Sequence, residues 1–238
     1  MGTMLQAAGL KLGARPEELN ITDPALIEGI HGQYAAAGSR IVNANTFGAS
    51  AHKLAGSAYT LEQVITAGIE NCKRACAPYG ALTALDVGPL GELLEPSGTL
   101  AFEDAVAEYA RIVKAGEAAG ADLIFFETYT DLYELKAALL AAKENTHLPI
   151  LASMSFEAGG RTFTGCTVES FAATARGLGA DAVGINCSLG PKEIFPMAKR
   201  LAEAVPGNFP VFVKPNAGLP RADGSGYDIT PQLFALQM

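Results

Sequence analysis

Short runs of apolar residues alternate along this chain with longer runs in which apolar residues recur every three or four positions. The short runs predict β-strands, and the periodic runs predict amphipathic α-helices. The predicted strands are residues 41–46, 81–87, 123–126, 149–156, 182–187 and 210–214. The predicted helices are residues 24–37, 61–76, 102–118, 131–144, 168–178 and 191–204. Strands that alternate with helices in this way predict a parallel sheet with right-handed crossovers.

Both an open doubly wound sheet and a (β/α)8 barrel fit this alternation. An open sheet of that kind often carries a glycine-rich phosphate loop, and neither G-x-G-x-x-G nor a Walker sequence occurs here. Polar residues follow nearly every predicted strand, which favours a barrel because barrels collect site residues from several strand ends. The sequence therefore predicts an α/β fold of the (β/α)8 TIM-barrel type.

Six predicted strands are two fewer than a barrel requires. Residues 1–10 have no strand before them and are expected to form a loop that runs into a short helix. Near the other end, Thr230-Pro231 is a typical helix start, yet only about two helical turns follow it. We therefore expect residues 1–238 to form a single domain, a barrel that lacks its first and last strands and has two exposed sheet edges.

Charge and cysteine content narrow the classes of function. The formal net charge is −8 and the isoelectric point is near 4.9, which argues against binding to nucleic acid or to an anionic membrane surface. No apolar run approaches the roughly 20 residues that cross a bilayer, and no signal peptide is evident. We expect a cytoplasmic protein whose four cysteines are reduced thiols.

The strongest candidates for chemistry follow predicted strands. Cys187 ends an apolar strand in a strand–loop–helix unit, at the end of the sheet where α/β proteins bind ligands. Glu127 follows four apolar residues, where a carboxylate is costly unless a cation pairs with it. Asn186 and Asn216 could hydrogen-bond either loops or substrate. Asn43, together with Asn45 and Thr46, is expected to shape the floor of the pocket.

The other thiols and the histidines are weaker candidates. Cys166 lies in a loop that follows a strand, and His52 follows another strand end, so either could approach a site. Cys72 and Cys76 are expected on a helix outside the barrel, where they could not be ligands. The remaining histidines, His31 and His147, are expected to be surface or packing residues.

Seven stretches resemble one family, in order and along the whole chain: MGTMLQAAGL at the start, VNANTFGAS at 42–50, DVGPLGELLEP at 86–96, FFET at 125–128, GRTFTG at 160–165, GINCSLGP at 184–191 and KPNAGLPR at 214–221. They closely resemble the homocysteine-binding domain of cobalamin-dependent methionine synthases. Betaine- and S-methylmethionine-dependent homocysteine methyltransferases are the nearest alternatives. The resemblance implies a homocysteine S-methyltransferase barrel.

The resemblance also implies cofactors and partners. Family members hold zinc with three cysteine thiolates and leave the fourth position to the homocysteine sulfur, which zinc activates. Cys187 matches the first of these ligands, and the other two are expected as an adjacent pair beyond Met238. Methylcobalamin, the methyl donor in methionine synthase, would be supplied by another domain. The cobalamin and folate domains of a longer protein are therefore the expected partners.

Substrate contacts are implied in the same way. Glu127 matches the residue that binds the α-amino group of homocysteine, and Asn186, Asn216 and Asn43 are expected nearby. The family's loop after its first strand also holds the amino-acid end of the substrate. We expect Gly2 and Thr3 to be what remains of that loop here.

Two other functions stay open on the sequence. The chain could be an incomplete, inactive module that holds no zinc, because it contains no Cys-Cys pair. It could also be an unrelated barrel aldolase. In that case Lys214, the only lysine at a predicted strand end, would form the Schiff base.

Overall fold

Within the part of the chain that the structure describes, the sheet has six strands, all parallel and in chain order. The computed structural model describes residues 1–11, 13–218, 227 and 229–238. The strands are β1 (Ile41–Asn43), β2 (Leu82–Val87), β3 (Leu123–Tyr129), β4 (Ile150–Met154), β5 (Ala182–Asn186) and β6 (Val211–Lys214). Each pairs with the next in parallel register. The predicted α/β fold with six parallel strands is confirmed, and β1 and β6 are the edges of the described sheet.

Helices connect the strands and follow the predicted order. They are α1 (Gly2–Ala7), α2 (Leu19–Thr22), α3 (Pro24–Ala36), α4 (Leu61–Cys76), α5 (Phe102–Ala118), α6 (Leu132–Asn145), α7 (Val168–Gly177), α8 (Pro191–Glu203) and α9 (Pro231–Gln237). The structure adds α2 and two short 3-10 turns, Pro16–Glu18 and Ala77–Tyr79, which the sequence pattern did not predict. No helix of the described residues is long and apolar enough to cross a membrane.

Helix starts follow from local hydrogen bonds. Thr60 Oγ1 accepts from the backbone N–H of Gln63, and Gln63 Oε1 accepts from the backbone N–H of Thr60. This capping box satisfies two donors that the first turn of α4 would otherwise leave unpaired. Asp23 and Thr230 are single side-chain caps, which accept from the backbone N–H groups of Leu26 and Leu233 at the starts of α3 and α9, and each is followed by proline.

Alternate residues of each strand face opposite sides of the sheet. One side packs against the helices in the main core, to which β1 contributes Val42 and β3 contributes Ile124 and Phe126. The opposite, concave face carries a smaller apolar cluster made of Ala84, Leu123, Phe125, Leu151 and Phe212. Apolar side chains therefore fill the sheet on both sides, as expected for parallel strands.

The concave face is less covered toward its β1 edge. Ile41 is 38% exposed and Leu82 is 47% exposed.

Gly184 in β5 leaves room for the ring of Phe212 on the neighbouring strand, because a Cβ atom at position 184 would overlap that ring. Ring packing on this face therefore requires glycine at position 184.

Candidate functional site

Polar side chains occupy the carboxyl end of the concave face, directly beyond its apolar cluster. Asn43 ends β1, Asp86 lies near the end of β2, Glu127 lies in β3 and Lys214 ends β6. With Cys187, which follows β5, they line a cleft of about 560 Å³. On the concave face, apolar residues lie toward the amino ends of the strands and polar residues lie at the carboxyl ends, where parallel sheets bind ligands.

Glu127 is the centre of the charged network in the cleft. Its Oε2 lies 2.5 Å from Lys214 Nζ and 3.3 Å from Asn43 Nδ2, both of which donate to it. The Glu127 side chain is only 15% exposed, so this pairing offsets the cost of burying a carboxylate. The three residues come from three strands, and the curvature of the sheet brings them together.

Lys214 is held as an ammonium ion. Burial alone would lower its pKa, but the carboxylates of Glu127 and Asp86 outweigh that effect and raise the pKa. Its Nζ also lies 4.5 Å from the ring centroid of Phe125, a cation–π contact. A Schiff-base lysine needs a neutral amine, so this environment argues against the aldolase alternative.

Asp86 is a buried carboxylate at the cleft that the sequence analysis did not single out. Its residue is 6% exposed, and its Oδ1 has no hydrogen-bond partner among the described residues. Burial, and then the negative charge of Glu127, raise the pKa of Asp86 well above its ordinary value, while Lys214 and the Asn43 amide oppose that shift. The sequence contains a signal for this position, because Leu82, Ala84 and Asp86 are every second residue of β2 and therefore face the same side of the sheet.

The Cys187 thiol is positioned by Asn186. The Asn186 side chain is buried, and its Nδ2 donates to Cys187 Sγ at 3.2 Å and to Thr128 Oγ1 at 2.7 Å. Its Oδ1 accepts from the Thr128 backbone N–H at 3.0 Å and from Ser153 Oγ at 2.8 Å. All the donors and acceptors of this amide are used within the protein. Asn186 therefore ties the ends of β3, β4 and β5 together around the thiol.

Left-handed backbone is concentrated at this site. Thr128, Cys187 and Ser188 have φ angles of 65°, 59° and 60°, and they are the described non-glycine residues with positive φ. Such conformations cost energy, above all for β-branched threonine, and they cluster at functional sites. The register of β3 with β4 also shifts between Phe126 and Tyr129, which turns the Glu127-Thr128 end of the strand.

The predicted site residues divide into two groups. Cys187, Glu127, Asn43 and Gly2 line the cleft. Asn216, Asn186 and Thr3 do not line it. Asn216 is half-buried, and its backbone N–H donates to the Leu189 carbonyl at 2.9 Å, which braces the loop after β5. The predicted contacts of all seven residues with a ligand stay predictions.

The chain start differs in detail from the expectation. Gly2 and Thr3 belong to the first turn of α1 rather than to a loop, and both are exposed. At the far end of the KPNAGLPR motif, Leu219, Pro220 and Arg221 lie outside the described residues. That motif is therefore described only as far as Gly218.

The predicted pocket floor is a set of braces. Asn45 Nδ2 donates to the Pro16 carbonyl and to Asn20 Oδ1, at 2.8 and 2.9 Å. Thr46 Oγ1 donates to the Asp86 carbonyl and accepts from the Asp86 N–H, at 2.8 and 3.1 Å. The Thr46 bonds fix the loop after β1 against β2, and the Asn45 bonds fix it against the segment that holds Pro16 and Asn20. Asn45 also lines the cleft, whereas Thr46 does not.

The histidines differ partly from expectation. His31, predicted as a surface or packing residue, is 1% exposed and lines the cleft; burial lowers its pKa to about 4. Its Nε2 has no partner among the described residues. His52 is absent from the cleft lining and pairs with Glu92 at 3.0 Å on the surface.

The remaining cysteines lie away from the cleft. Cys72 and Cys76 are buried in α4, with their sulfur atoms 3.8 Å apart, and burial raises both pKa values. Cys166 borders a separate surface groove, and burial raises its pKa to about 11. Within the part of the chain that the structure describes, no three histidine, cysteine or acidic side chains are grouped as a metal site would require.

Together these features define an α/β protein with a polar ligand cleft at the carboxyl ends of a curled parallel sheet. Comparison with known proteins identifies the family. A family model described as homocysteine S-methyltransferase matches residues 1–238. The chain therefore belongs to the homocysteine S-methyltransferase family, a family of methyltransferases.

Individual relatives agree with this membership. The chain is 32% identical to methionine synthase of Mycobacterium tuberculosis over 257 residues, and 32% identical to that of Mycobacterium leprae over 259 residues. Each match covers 99% of this chain but 21% of the relative, so the chain spans about a fifth of the length of these curated relatives.

Solved structures share the fold. The metallated form of the homocysteine methyltransferase MmuM from Escherichia coli superimposes with a TM-score of 0.81 at 23% identity, covering 99% of this chain and 85% of that one. Histamine dehydrogenase from Rhizobium sp. 4-9 matches with a TM-score of 0.58 at 15% identity, covering 80% and 38% of the two chains. These likenesses concern the fold alone.

Proposed function

We propose that residues 1–238 form one homocysteine-binding domain that presents homocysteine as the acceptor of a methyl group. The observation that carries this proposal is that the Glu127 carboxylate and the Cys187 thiol line the same cleft in a member of this family. Glu127 would bind the α-ammonium group of homocysteine, and the homocysteine sulfur would point toward Cys187. In the reaction, the homocysteine thiol loses its proton to solvent and its sulfur forms a bond to the methyl group, while the bond between that methyl group and the donor breaks and its electron pair stays on the donor; the product is methionine.

The proposal extends to the fold and to the longer protein. Six parallel strands in chain order support an eight-stranded barrel in which further strands would cover the edges β1 and β6. The greater length of the methionine synthase relatives supports cobalamin and folate domains as partners, with methylcobalamin as the donor. A cytoplasmic location stays a prediction from composition.

Zinc requires a separate test against the residues. Cys187 is the one thiol that lines the cleft, and its sulfur contacts the Thr128 hydroxyl at 3.6 Å and the Asn186 amide at 3.2 Å. A catalytic zinc site takes three protein ligands. The described residues do not supply such a set, so they do not fit the metal by themselves. The two further cysteine ligands expected beyond Met238 stay a prediction.

Equilibrium dialysis with radiolabelled homocysteine tests the proposal. We expect one saturable site per chain, with competition by methionine and none by a molecule that lacks the amino-acid group. Incubation with methylcobalamin, S-methylmethionine or betaine, with methionine measured by mass spectrometry, then identifies the donor. No saturable binding up to about 10 mM, well above ordinary enzyme affinities, would reject the proposal.

A further inference from the structure

The carboxylate of Asp86 acts on Lys214 through its charge, but one of its oxygens has no hydrogen-bond partner among the described residues. The backbone of Asp86 is tied to Thr46, but its side chain is buried and its Oδ1 lacks a partner among the described residues. Proteins rarely leave a buried carboxylate oxygen unpaired, because its lost hydration is costly. Because the Asp86 residue lines the cleft, its unpaired oxygen is a candidate acceptor for a ligand group.

The neighbouring charges indicate which ligand group fits. Lys214 contacts Glu127, and no ion pair within 4.0 Å joins Asp86 to a described residue. The other charged groups that act on Asp86 are Glu127 and, most weakly, the α-ammonium of Met1. Glu127 Oε2 already accepts two hydrogen bonds, from Lys214 and Asn43. Both of these bonds go to Oε2, which leaves Glu127 Oε1 for a ligand, and Asp86 Oδ1 is a second oxygen without a partner among the described residues.

We propose that Asp86 is a second substrate-binding carboxylate, which receives the α-ammonium group of the amino-acid substrate beside Glu127. This inference rests on the proposed function and deepens it. An ammonium group has three N–H donors, more than one partly occupied carboxylate can satisfy. The raised pKa of Asp86 agrees with a site that lacks one positive charge.

A consequence is selectivity for the amino group. A thiol that carries the carboxylate of homocysteine but no amine gives Asp86 nothing to bind. The ligand 4-mercaptobutanoate has this structure, and it retains the sulfur and chain length of homocysteine. Comparing the two ligands isolates the contribution of the ammonium group.

Calorimetric titration of both ligands into wild type, Asp86→Asn and Asp104→Asn tests the inference. Asp104 is an exposed acid in α5 and serves as the matched control. Asp86→Asn is expected to weaken homocysteine binding by about tenfold or more, as loss of a charged hydrogen bond predicts. Its affinity for 4-mercaptobutanoate should change by less than about twofold, and Asp104→Asn should change neither affinity. Urea unfolding verifies that each variant is folded, and Asp86→Ser replaces Asp86→Asn if the latter is not.

The outcomes separate the two proposals. Equal losses for both ligands would mean that Asp86 only shapes the cleft, and unchanged homocysteine binding in Asp86→Asn would mean that it has no role in binding. Either result overturns this inference and leaves the proposed function standing. Failure of the wild type to bind homocysteine would overturn both.

Discussion

Replacing Asn186 by alanine should loosen the site more than any other single deletion of a neutral side chain. The Asn186 amide binds the Thr128 N–H and hydroxyl, the Ser153 hydroxyl and the Cys187 sulfur. It also restrains Thr128 and Cys187 in the left-handed conformation. Without the amide, a buried polar cluster loses its centre and the strained backbone loses its main restraint.

The magnitude follows from the bonds that are lost. Three of them join Asn186 to nitrogen or oxygen atoms at 2.7 to 3.0 Å, and a hydrogen bond of this type contributes about 1 kcal/mol net. The Thr128 N–H loses its partner, whereas the single Ser153 hydroxyl proton can be donated to the Phe126 carbonyl instead. Relief of backbone strain at Thr128 returns about 1 kcal/mol. We expect the free energy of unfolding to fall by about 2 to 3 kcal/mol.

Urea unfolding measures this loss, and Asn145→Ala is the matched control. Asn145 donates one hydrogen bond to the Ala141 carbonyl at the end of α6, so its loss should cost no more than about 1 kcal/mol. The rate at which the thiols react with a disulfide reagent gives a second measurement. The kinetic phase that disappears in Cys187→Ala is the reaction of Cys187. That phase should change in rate in Asn186→Ala and stay constant in Asn145→Ala. Equal stabilities for the two alanine variants, with unchanged thiol rates, would refute the bracing role of Asn186.

Four further predictions concern stability and metal binding. Thr60→Ala removes the capping box of α4 and should lower the free energy of unfolding by about 1 kcal/mol in urea titrations, with no change in homocysteine affinity. Burial lowers the pKa of His31 to about 4, so the unfolded chain binds an extra proton below pH 6.5. Wild type should therefore lose about 2 kcal/mol relative to His31→Gln between pH 7 and pH 5, and a constant difference would contradict this. Burial and the charge of Glu127 raise the pKa of Asp86 in the folded state, so wild type loses stability as pH rises above the ordinary pKa of an aspartate. Asp86→Asn cannot ionise, and its free energy of unfolding in urea should therefore increase relative to wild type at pH 8. Because Cys187 is the one thiol lining the cleft, the dialysed 238-residue chain should retain less than one zinc per chain by mass spectrometry, and one tightly held zinc would show that further ligands take part.

Local sequence signals predicted the elements well because their causes are local. Helices α4 and α5 begin and end at the predicted residues, since apolar periodicity defines both and a capping box also marks the start of α4. Strand β1 ends at Asn43, three residues earlier than predicted, because the residues after Ala44 form turn hydrogen bonds instead of strand pairing. The turn at Pro16–Glu18 was not predicted because it carries no periodic pattern.

The site was only partly predictable. Cys187 and Glu127 could be found because each lies at the end of a run of mainly apolar residues that predicts a strand. The pairing of Glu127 with Lys214 joins residues 87 positions apart and depends on the curvature of the sheet. Asp86 was not predicted because it lies inside the apolar run of β2, and only the two-residue alternation of the strand places it on the concave face. The bracing role of Asn186 depends on the positions of Thr128 and Ser153, which only the folded chain defines.

The central claim is that the cleft at the carboxyl ends of the strands binds homocysteine through Glu127. Calorimetric titration of homocysteine into wild type, Glu127→Gln and Glu144→Gln tests it most directly, since Glu144 is an exposed glutamate of α6. We predict one site per chain in wild type and in Glu144→Gln. In Glu127→Gln the affinity for homocysteine should fall by about tenfold or more. Equal affinities in all three proteins would place homocysteine elsewhere and contradict this account.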